Sequence, residues 1–455
     1  MTSPMLTFLG AVGTVTGSRF LVEGAEGRIM VDAGLFQGIA DLRRRNWAEP
    51  PLDASALDAV VLTHAHLDHC GYLPRLVREG FSGPIVCTES TAELATIVLK
   101  DSAHLQAEDA LYANRTGYSA HQPALPLYDI DDVEKTIPLF RPTELLRRAL
   151  IAPGVAVTLR PAGHILGSST AEIEVDGASA LFSGDLGRPH HPLLAPPADP
   201  PEVGSIVVES TYGDREHPRP DDEILASAVR RTAARGGTVL IPAFAVDRTE
   251  LVLLELHRLM KAGRIPHLEV YVDSPMALAS LAVYKKALPP RGPAHCEPSL
   301  FDMPEVHAVR DAAESVRLNR PSFPCIVVSA SGMAAGGRVV HHLRHQLPDQ
   351  RNTVVLTGYQ AIGTRGRQLL DGARQVKLHG RYVPVHAEVV QIPDFSVHAD
   401  GGEIVRWLSR APSPPRTAYV VHGEPAASSA LARRIREELG WNAVVPTFGE
   451  RVRLD

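Results

Sequence analysis

Residues 57–69 read LDAVVLTHAHLDH and join an apolar run directly to a group of polar side chains. The run Leu57 to Leu62 predicts a buried strand and residues 71–80 predict a helix, so the polar residues lie on the loop between them. Four of them are of the types that bind zinc and related ions, namely His64, His66, Asp68 and His69. An extended backbone puts alternate side chains on one side, and the turn into the loop directs the last two to a second position. One short segment can therefore hold two adjacent metal ions.

Four further polar residues end or follow predicted strands elsewhere in the chain, each with a glycine nearby. They are Asp32, His164, Asp185 and His422. Polar residues in such strand-end loops are placed for a functional site. The alternative, a structural role for the histidines, is weakened by each further ligand type found at a strand end.

The pattern changes in the middle of the chain from hairpins to alternating strands and helices, which predicts a parallel sheet. The predicted strands cover residues 238–243, 268–272, 325–329 and 353–357, and the predicted helices cover 247–262, 275–287, 334–346 and 363–371. Hairpin-like strands resume at about residue 376. We therefore expect an α/β protein in which residues 1–212 and 376–455 form one domain and residues 213–375 form an inserted domain.

Composition is that of a globular protein with more than one domain. The chain has 455 residues, of which 44% are hydrophobic and 22% are charged. No run approaches the roughly 18 apolar residues of a membrane span, and the N-terminus lacks a signal pattern. The four cysteines are scattered, which suits a reducing compartment. We therefore expect a cytoplasmic protein that has no membrane association.

The net charge of −6 hides an uneven distribution. Residues 215–375 contain 21 Lys and Arg against 16 Asp and Glu, a balance of +5, which leaves −11 for the rest of the chain. Residues 316–374 carry eight arginines and only two acids. Because nucleic-acid affinity depends on cations that neutralise phosphates, this stretch favours a phosphate-bearing ligand. A solvated basic helix face is the alternative, and it is the preferred interpretation of the helical pair His341 and His345.

The loop motif and the four strand-end residues resemble the five sequence motifs of the metallo-β-lactamase superfamily, in content and in order. This resemblance implies an αββα sandwich whose strand ends hold two Zn²⁺ ions. The zinc ligands that it implies are His64, His66 and His164 for one ion, and Asp68, His69 and His422 for the other. Asp185 would bridge the two ions, and Asp32 would orient the ligand loop without binding metal.

Two further segments narrow the resemblance to the β-CASP nucleic-acid-processing branch of that superfamily. Residues 208–213, VESTYG, resemble its motif A, and residues 394–400, DFSVHAD, resemble its motif B. His422 corresponds to motif C, where the RNA enzymes of the branch have histidine and the DNA-repair enzymes typically have valine. The branch includes the cleavage subunit of the polyadenylation machinery and its prokaryotic relatives. The resemblance therefore implies an inserted parallel-sheet α/β domain and single-stranded RNA as substrate.

The reaction that the resemblance implies is hydrolysis of a phosphodiester by a metal-activated water. Asp68 would accept a proton from the water, and His398, paired with Glu209, would be the general acid for the departing 3′ oxygen. For His398 the alternative is an ordinary surface hydrogen bond. The candidate phosphate contacts are Ser331, Gly332, Arg365 and Ser396, and for each of these a loop or cap role is an equal alternative.

Two other functions stay open at this point. A hydrolase of small esters, thioesters or lactones has the same sandwich, but it needs neither the basic insertion nor the Glu209–His398 pair. A non-catalytic RNA-processing scaffold is the second alternative, although such proteins lose metal ligands that this chain retains. Endonucleases and 5′→3′ exonucleases share the motifs, and the sequence leaves that choice open, together with the choice between a monomer and a homodimer.

Overall fold

The structure is a computed structural model that describes residues 3–48, 52–117, 121–218, 221–288, 303–392 and 395–454. Two compact units are present. The first comprises Met1–Glu216 and Val397–Asp455, and the second comprises His217–Ser396. The second unit is thus inserted between the two segments of the first.

The strands of the first unit form two seven-stranded sheets. In spatial order the first sheet consists of β22 (Arg451–Arg453), β1 (Met5–Phe8), β2 (Phe20–Glu23), β3 (Arg28–Val31), β4 (Ala59–Val61), β5 (Ile85–Cys87) and β6 (Phe140–Pro142). The second consists of β21 (Ala443–Val444), β20 (Thr417–Val420), β11 (Ser205–Val208), β10 (Ala178–Phe182), β9 (Ser169–Val175), β8 (Val155–Pro161) and β7 (Arg148–Ala152). Both sheets contain parallel and antiparallel pairs.

The helices of the first unit follow strands of both sheets. They are α1 (Ala40–Arg44), α2 (Leu67–Cys70), α3 (Leu73–Arg78), α4 (Glu89–Thr116), α5 (Ile130–Thr136), α12 (Gly401–Leu408) and α13 (Pro425–Leu439). Two short 3-10 helices cover Ala54–Ala56 and Ile137–Leu139. None of the helices in the described ranges combines the length and the apolar character that crossing a membrane requires.

The core of the first unit lies between its two sheets. Side chains from both sheets meet there, including Phe8 and Val61 from the first and Val157 and Phe182 from the second. The other face of the second sheet packs against α12 and α13 through a separate apolar cluster. Burial of both faces explains why β11 has three consecutive apolar residues after Ser205, since neither face contacts water. The sandwich has the predicted architecture.

The second unit is built on a six-stranded sheet in which all pairs are parallel. In spatial order its strands are β14 (Val306–Ala308), β13 (Val270–Val272), β15 (Cys325–Ser329), β12 (Thr238–Pro242), β16 (Thr353–Thr357) and β19 (Glu388–Ile392). Its helices are α6 (Asp222–Ala234), α7 (Arg248–Lys261), α8 (Pro275–Ala287), α9 (Ala312–Arg317), α10 (Arg338–Gln346) and α11 (Arg365–Leu370). A hairpin of β17 (Gln375–Leu378) and β18 (Arg381–Pro384) follows. The predicted α/β class with a parallel-sheet insertion is confirmed.

Two details differ from the sequence prediction. The helix expected over residues 71–80 is α3 (Leu73–Arg78), but a further short helix, α2, precedes it from Leu67 to Cys70, so that Asp68 and His69 lie in a helical turn and not in a loop. The strands β17 to β19 belong to the second unit, whereas hairpins of the sandwich were expected from residue 376. The strand β19 pairs in parallel with β16, at the edge of the inserted sheet.

Candidate metal centre

Seven of the predicted site residues come together beyond the ends of strands β4, β8, β10 and β20 of the first unit. Their ligand atoms form two groups, and within each group these atoms lie within 4.8 Å of one another. The first group is His64, His66, His164 and Asp185, and the second is Asp68, His69 and His422. Six of the seven come from the two predicted triads, and Asp185 completes the first group.

The first group has the spacing of ligands around one ion. His66 Nδ1 lies 3.2 Å from His64 Nε2 and 3.2 Å from His164 Nε2. Asp185 Oδ2 lies 3.5 Å from the Nε2 atoms of both His64 and His164. In a tetrahedral zinc site with bonds of about 2.0–2.1 Å, neighbouring ligand atoms are about 3.3–3.4 Å apart. The four side chains therefore fit a metal ion.

The second group is similar, and it meets the first at Asp185. His69 Nε2 lies 3.3 Å from His422 Nε2, and His422 Nε2 lies 3.6 Å from Asp68 Oδ2. The Oδ1 atom of Asp185 lies 3.4 Å from His69 Nε2. This oxygen is buried and accepts no hydrogen bond from any described residue. The two oxygens of Asp185 thus face different groups.

Burial sets the ionisation of these side chains. It lowers the pKa of His64 and of His164 well below the usual value, and neighbouring histidines lower both further. Burial likewise lowers the pKa of His66 to about 4. Burial alone would raise the pKa of Asp185, but the positive charge of the surrounding histidines, His422 first, holds it well below the usual range. Neutral imidazoles and an ionised carboxylate are the forms that bind metal.

The buried carboxylate of Asp32 links the two ligand groups through hydrogen bonds. Its Oδ2 atom lies 2.7 Å from His69 Nδ1 and accepts a hydrogen bond from Ser18 Oγ at 3.1 Å. Its Oδ1 atom accepts hydrogen bonds from the amide and the hydroxyl of Thr63, both at 2.9 Å. The Thr63 hydroxyl is in turn 3.1 Å from His64 Nδ1. One buried carboxylate therefore orients a histidine in each group.

Three side chains that support the ligands were not predicted from the sequence. They are Ser18, Thr63 and Thr211, and the last lies with its hydroxyl 3.1 Å from His422 Nδ1. The position of Thr63 directly before His64 was the available signal, as was the position of Thr211 inside motif A. A close backbone approach adds to the support, since a Cβ atom on Gly34 would lie 1.5 Å from the carbonyl oxygen of Asp68. Only glycine fits there.

The predicted pair of Glu209 and His398 also lies at this centre. Glu209 is fully buried, and its Oε1 atom accepts a hydrogen bond from the amide of Leu186 at 2.6 Å and lies 3.2 Å from His398 Nδ1. His398 Nδ1 is 3.8 Å from Asp185 Oδ2, and its ring lies 4.4 Å from the ring of His164. The His398 side chain is 14% exposed, whereas that of Asp185 is 1% exposed. His398 therefore combines a buried anchor with access to solvent.

The four candidate phosphate contacts lie in the second unit, and three of them make local bonds there. The Ser331 hydroxyl accepts hydrogen bonds from the amides of Ala335 and Gly336. Arg365 donates to three backbone carbonyls, those of Ala334, Ala335 and Lys377. The carbonyl of Gly332 accepts a bond from Gln360 Nε2 at 3.1 Å. Ser396 is buried, and Asp394 of motif B lies outside the described residues. Their contact with phosphate stays a prediction.

Three family models match the chain. The model for the metallo-beta-lactamase superfamily matches residues 12–240, and the model for the Beta-Casp domain matches residues 249–369. The model for the Zn-dependent metallo-hydrolase RNA specificity domain matches residues 382–446. Together with the donor set of the two groups, these matches indicate a metal cofactor.

Similar proteins are found over nearly the whole chain. The chain is 35% identical over 451 residues to Ribonuclease TTHA0252 of Thermus thermophilus, with 97% of this chain and 98% of the relative covered. It is 31% identical over 455 residues to an RNase J-like protein of Methanocaldococcus jannaschii, with 98% of each covered. A solved structure of a protein of unknown function from Enterococcus faecalis V583 covers 99% of this chain and 100% of that chain with a TM-score of 0.53. At 13% identity, that last likeness concerns the fold alone.

The three models cover parts of both the sandwich and the insertion, and the similarity to the ribonuclease of Thermus thermophilus extends over 97% of the chain. The chain belongs to the β-CASP branch of the metallo-β-lactamase superfamily.

Proposed function

We propose that the protein is a two-zinc ribonuclease that hydrolyses phosphodiester bonds of single-stranded RNA. The observation that carries the proposal is the pair of ligand groups that meet at Asp185, beside the pair of the buried Glu209 and the partly exposed His398. The names of the relatives, a ribonuclease and an RNase J-like protein, support RNA as the substrate. So does the RNA specificity domain that matches the C-terminal segment.

The metal ligands that we propose are those of the two groups. His64, His66 and His164 would hold one zinc, Asp68, His69 and His422 would hold the other, and Asp185 would serve both. When bound, the two ions lower the pKa of a water molecule toward neutrality and neutralise charge on the scissile phosphate. Asp32 holds His69 in place and fixes its tautomer through Nδ1, which leaves Nε2 to face the ion.

The side chains next to the metal centre move the protons. Hydrolysis adds water across the P–O3′ bond, so one proton leaves the water and another reaches the departing 3′ oxygen. The Asp68 carboxylate accepts the first. His398 donates the second from Nε2, because its Nδ1 faces the Glu209 carboxylate at 3.2 Å. The buried Glu209 also fixes the orientation of the His398 ring through this contact.

Ser331, Gly332, Arg365 and Ser396 are the proposed phosphate contacts in the inserted unit. We further propose that the protein is cytoplasmic, and that a homodimer is the first assembly to test by light scattering.

The length of the products distinguishes an endonuclease from a 5′→3′ exonuclease. Internal cuts give labelled fragments of many lengths, whereas cuts from a 5′-labelled end release short labelled fragments.

The test compares wild type with His398→Ala on 5′-labelled single-stranded RNA and on DNA of the same sequence. Loss of a general acid lowers the rate by about 10²- to 10⁴-fold, while the zinc content stays at two per chain. The matched control is His104→Ala, because His104 is 69% exposed on α4 and pairs with Glu108 on the same helix. The control should cleave RNA like wild type.

Two outcomes would replace the proposal. A wild type that hydrolyses a small ester at a useful rate and leaves RNA intact is a different hydrolase on the same sandwich. A wild type that binds RNA without cutting it, and that holds well below two equivalents of zinc after loading, is a scaffold. Equal rates for wild type and His398→Ala would leave a ribonuclease but remove His398 as its acid.

A further inference from the structure

Arg19, directly before β2, is a buried arginine that the proposed reaction does not use. It is 6% exposed, and its guanidinium lies 3.6 Å from the centre of the Tyr72 ring and 5.0 Å from that of Phe36. Its Nε donates a hydrogen bond to the carbonyl oxygen of Gly34 at 2.8 Å, and its Nη2 donates to Asn46 Oδ1 at 3.1 Å. The cation therefore packs against two aromatic rings and is bonded to two acceptors.

Arg19 and Asn46 together fix the loop that follows β3. Asn46 Oδ1 also accepts a hydrogen bond from the amide of Phe36 at 2.9 Å, and Asn46 Nδ2 donates to the Phe36 carbonyl at 2.8 Å. Gly34 is held on both sides, because its amide donates to the Ser18 carbonyl at 2.9 Å while its own carbonyl accepts from Arg19. The rigid fork of an arginine suits two acceptors in fixed positions.

The loop fixed in this way contacts the backbone of residues 67–69. The amide of Leu35 donates to the first carbonyl of this segment at 3.0 Å, and the amide of Ala33 donates to the last at 2.7 Å. Between them, a Cβ atom on Gly34 would lie 1.5 Å from the Asp68 carbonyl oxygen, so the two backbones are in direct contact. A shift of Gly34 therefore moves the segment that carries two of the three ligands of the second group.

The first ligand group is supported by other contacts. The amide of His164 donates to Ser168 Oγ at 3.0 Å, and His64 Nδ1 lies 3.1 Å from the Thr63 hydroxyl. Neither contact involves Arg19. We therefore expect loss of Arg19 to affect the two ligand groups unequally.

The buried charge of Arg19 indicates that its hydrogen bonds matter more than its volume. Burial lowers the pKa of Arg19 to about 10, although Tyr72 and Glu79 oppose this shift. With a pKa of about 10 the side chain is still positively charged near neutral pH. Burying a charge costs free energy, and an apolar residue of similar size would fill the same space without that cost. What the arginine adds is the pair of bonds that hold the loop.

We propose that Arg19 is a positioning residue for the second ligand group and that it sets the zinc affinity of that group. It acts through Gly34 and the backbone of residues 67–69, and it would contact neither the metal nor the substrate. The proposal rests on the proposed function in one respect, namely that this group binds zinc.

The test measures zinc affinity in proteins that keep one ligand group each. The pair His64→Ala with His164→Ala disables the first group, the pair His69→Ala with His422→Ala disables the second, and Arg19→Met is added to each pair. Methionine keeps an unbranched apolar chain and removes the hydrogen bonds. Lost support behind metal ligands lowers metal affinity by about 10- to 100-fold, so we expect that loss at the second group and a change within about twofold at the first. Competition with a chromophoric chelator measures both affinities.

The matched control is Arg45→Met. The guanidinium of Arg45 also stacks on Phe36, at 5.4 Å from the ring centre, and Arg45 is partly buried. The control therefore removes a cation from the same aromatic ring but leaves the bond from Arg19 to Gly34 in place. It should bind zinc like wild type at both groups.

Arg19→Lys separates the hydrogen bonds from the charge. Lysine keeps the positive charge but lacks the planar fork that reaches two acceptors. Its zinc affinity at the second group should therefore stay about tenfold below wild type. Full recovery with lysine would show that the charge alone suffices, and it would overturn the proposed role of the two bonds. If Arg19→Met does not fold, Arg19→Lys serves for the comparison of the two groups.

Thermal melting separates positioning from a general loss of stability. An arginine that only stabilises the fold would, on removal, lower the melting temperature and weaken zinc binding equally at both groups, and that result would overturn the proposal. Tyr128→Phe removes the buried bond from Tyr128 to Ser102 at 2.7 Å and leaves Arg19 intact. This destabilised protein should keep both zinc affinities.

Failure of this proposal can be distinguished from failure of the proposed function. If wild type cleaves RNA but Arg19→Met keeps wild-type affinity at the second group, the role of Arg19 is wrong and the ribonuclease stands. If wild type cleaves no RNA but Arg19→Met loses zinc affinity at the second group alone, the ribonuclease is wrong and the positioning role stands. A wild type that binds no zinc at the second group would overturn both.

Discussion

The substitution Asp32→Asn tests how the two ligand groups are held in place. Asp32 follows β3 with a positive φ of 57°, a conformation that asparagine tolerates better than most residues, so the change adds little backbone strain. Asparagine also has nearly the same size. The substitution replaces one of the two acceptor oxygens with an NH2 group and removes the negative charge.

The structure shows why this exchange is costly for metal binding. Both oxygens of Asp32 face hydrogen-bond donors, since Oδ1 accepts from Thr63 twice and Oδ2 accepts from Ser18 beside His69. The NH2 group of asparagine must therefore face a donor on one side. Loss of such a partner behind a metal-bound histidine lowers metal affinity by about 10- to 100-fold, or about 1.4–2.7 kcal/mol. We expect the larger loss at the ion held by His69, because Asp32 contacts this ligand directly.

The assay is zinc competition against a chromophoric chelator, followed by metal analysis after dialysis. Asp41→Asn is the matched control, because Asp41 is 80% exposed on α1 and pairs with Arg44 in solvent. We expect the control to bind two zinc ions as wild type does. Stepwise affinities for Asp32→Asn that stay within about twofold of wild type would refute the reasoning, since the donors around residue 32 would then have no role in ligand geometry.

Three further predictions concern stability and reactivity. Removing zinc with a chelator should abolish RNA cleavage and lower the melting temperature, and adding zinc back should restore both. The reason is that Asp185 Oδ1 is buried and has no hydrogen-bond donor among the described residues, so it lacks a partner when the metal is removed. Burial alone would raise the pKa of the Asp273 carboxyl, but hydrogen bonds, led by the one from His342, outweigh burial and lower this pKa. The ionised carboxylate therefore stabilises the folded protein at pH values above the pKa that Asp273 has in the unfolded chain. This stabilisation is lost as the pH falls through the pKa of Asp273 in the folded protein. Asp273→Asn should therefore cost about 3 kcal/mol in urea unfolding near neutral pH and less in acid. Burial raises the pKa of Cys87 to about 12 and that of Cys325 to about 11, so iodoacetamide near pH 8 should leave both unmodified in the native protein, as peptide mass spectrometry can check.

The inserted sheet was predictable to within a few residues because local patterns define it. The strand expected over residues 325–329 is Cys325–Ser329, and the helix expected over 275–287 is Pro275–Ala287. The strand β19 escaped prediction as part of that sheet for a physical reason. No helix separates it from β17 and β18, so its sequence resembles a meander, and only its pairing with β16 shows where it belongs.

The metal centre was predictable in its residues, and less so in its supports. Strand ends and motif order pointed to all seven proposed ligands, which the structure brings together. The roles of Ser18, Thr63 and Thr211 depend on where a hydroxyl points after distant strands have packed. Serine and threonine occur throughout loops for local reasons such as caps and turns, so their types alone carry no such signal.

Local charge, and not the net charge of the chain, decides how an acidic protein can bind RNA. With both zinc ions bound, the seven proposed ligands would comprise two carboxylates and five neutral imidazoles, so the loaded centre would have a formal charge of +2. A phosphodiester carries one negative charge per linkage, so the bound ions increase the attraction of the centre for it. Residues outside 215–375 sum to −11, and the screening length near physiological salt is about 8 Å, so most of those charges do not reach the bound phosphate. Residues 215–375 add a balance of +5. Zinc loading should therefore strengthen RNA binding even where cleavage is blocked, because the metal ions increase the positive charge that the substrate meets.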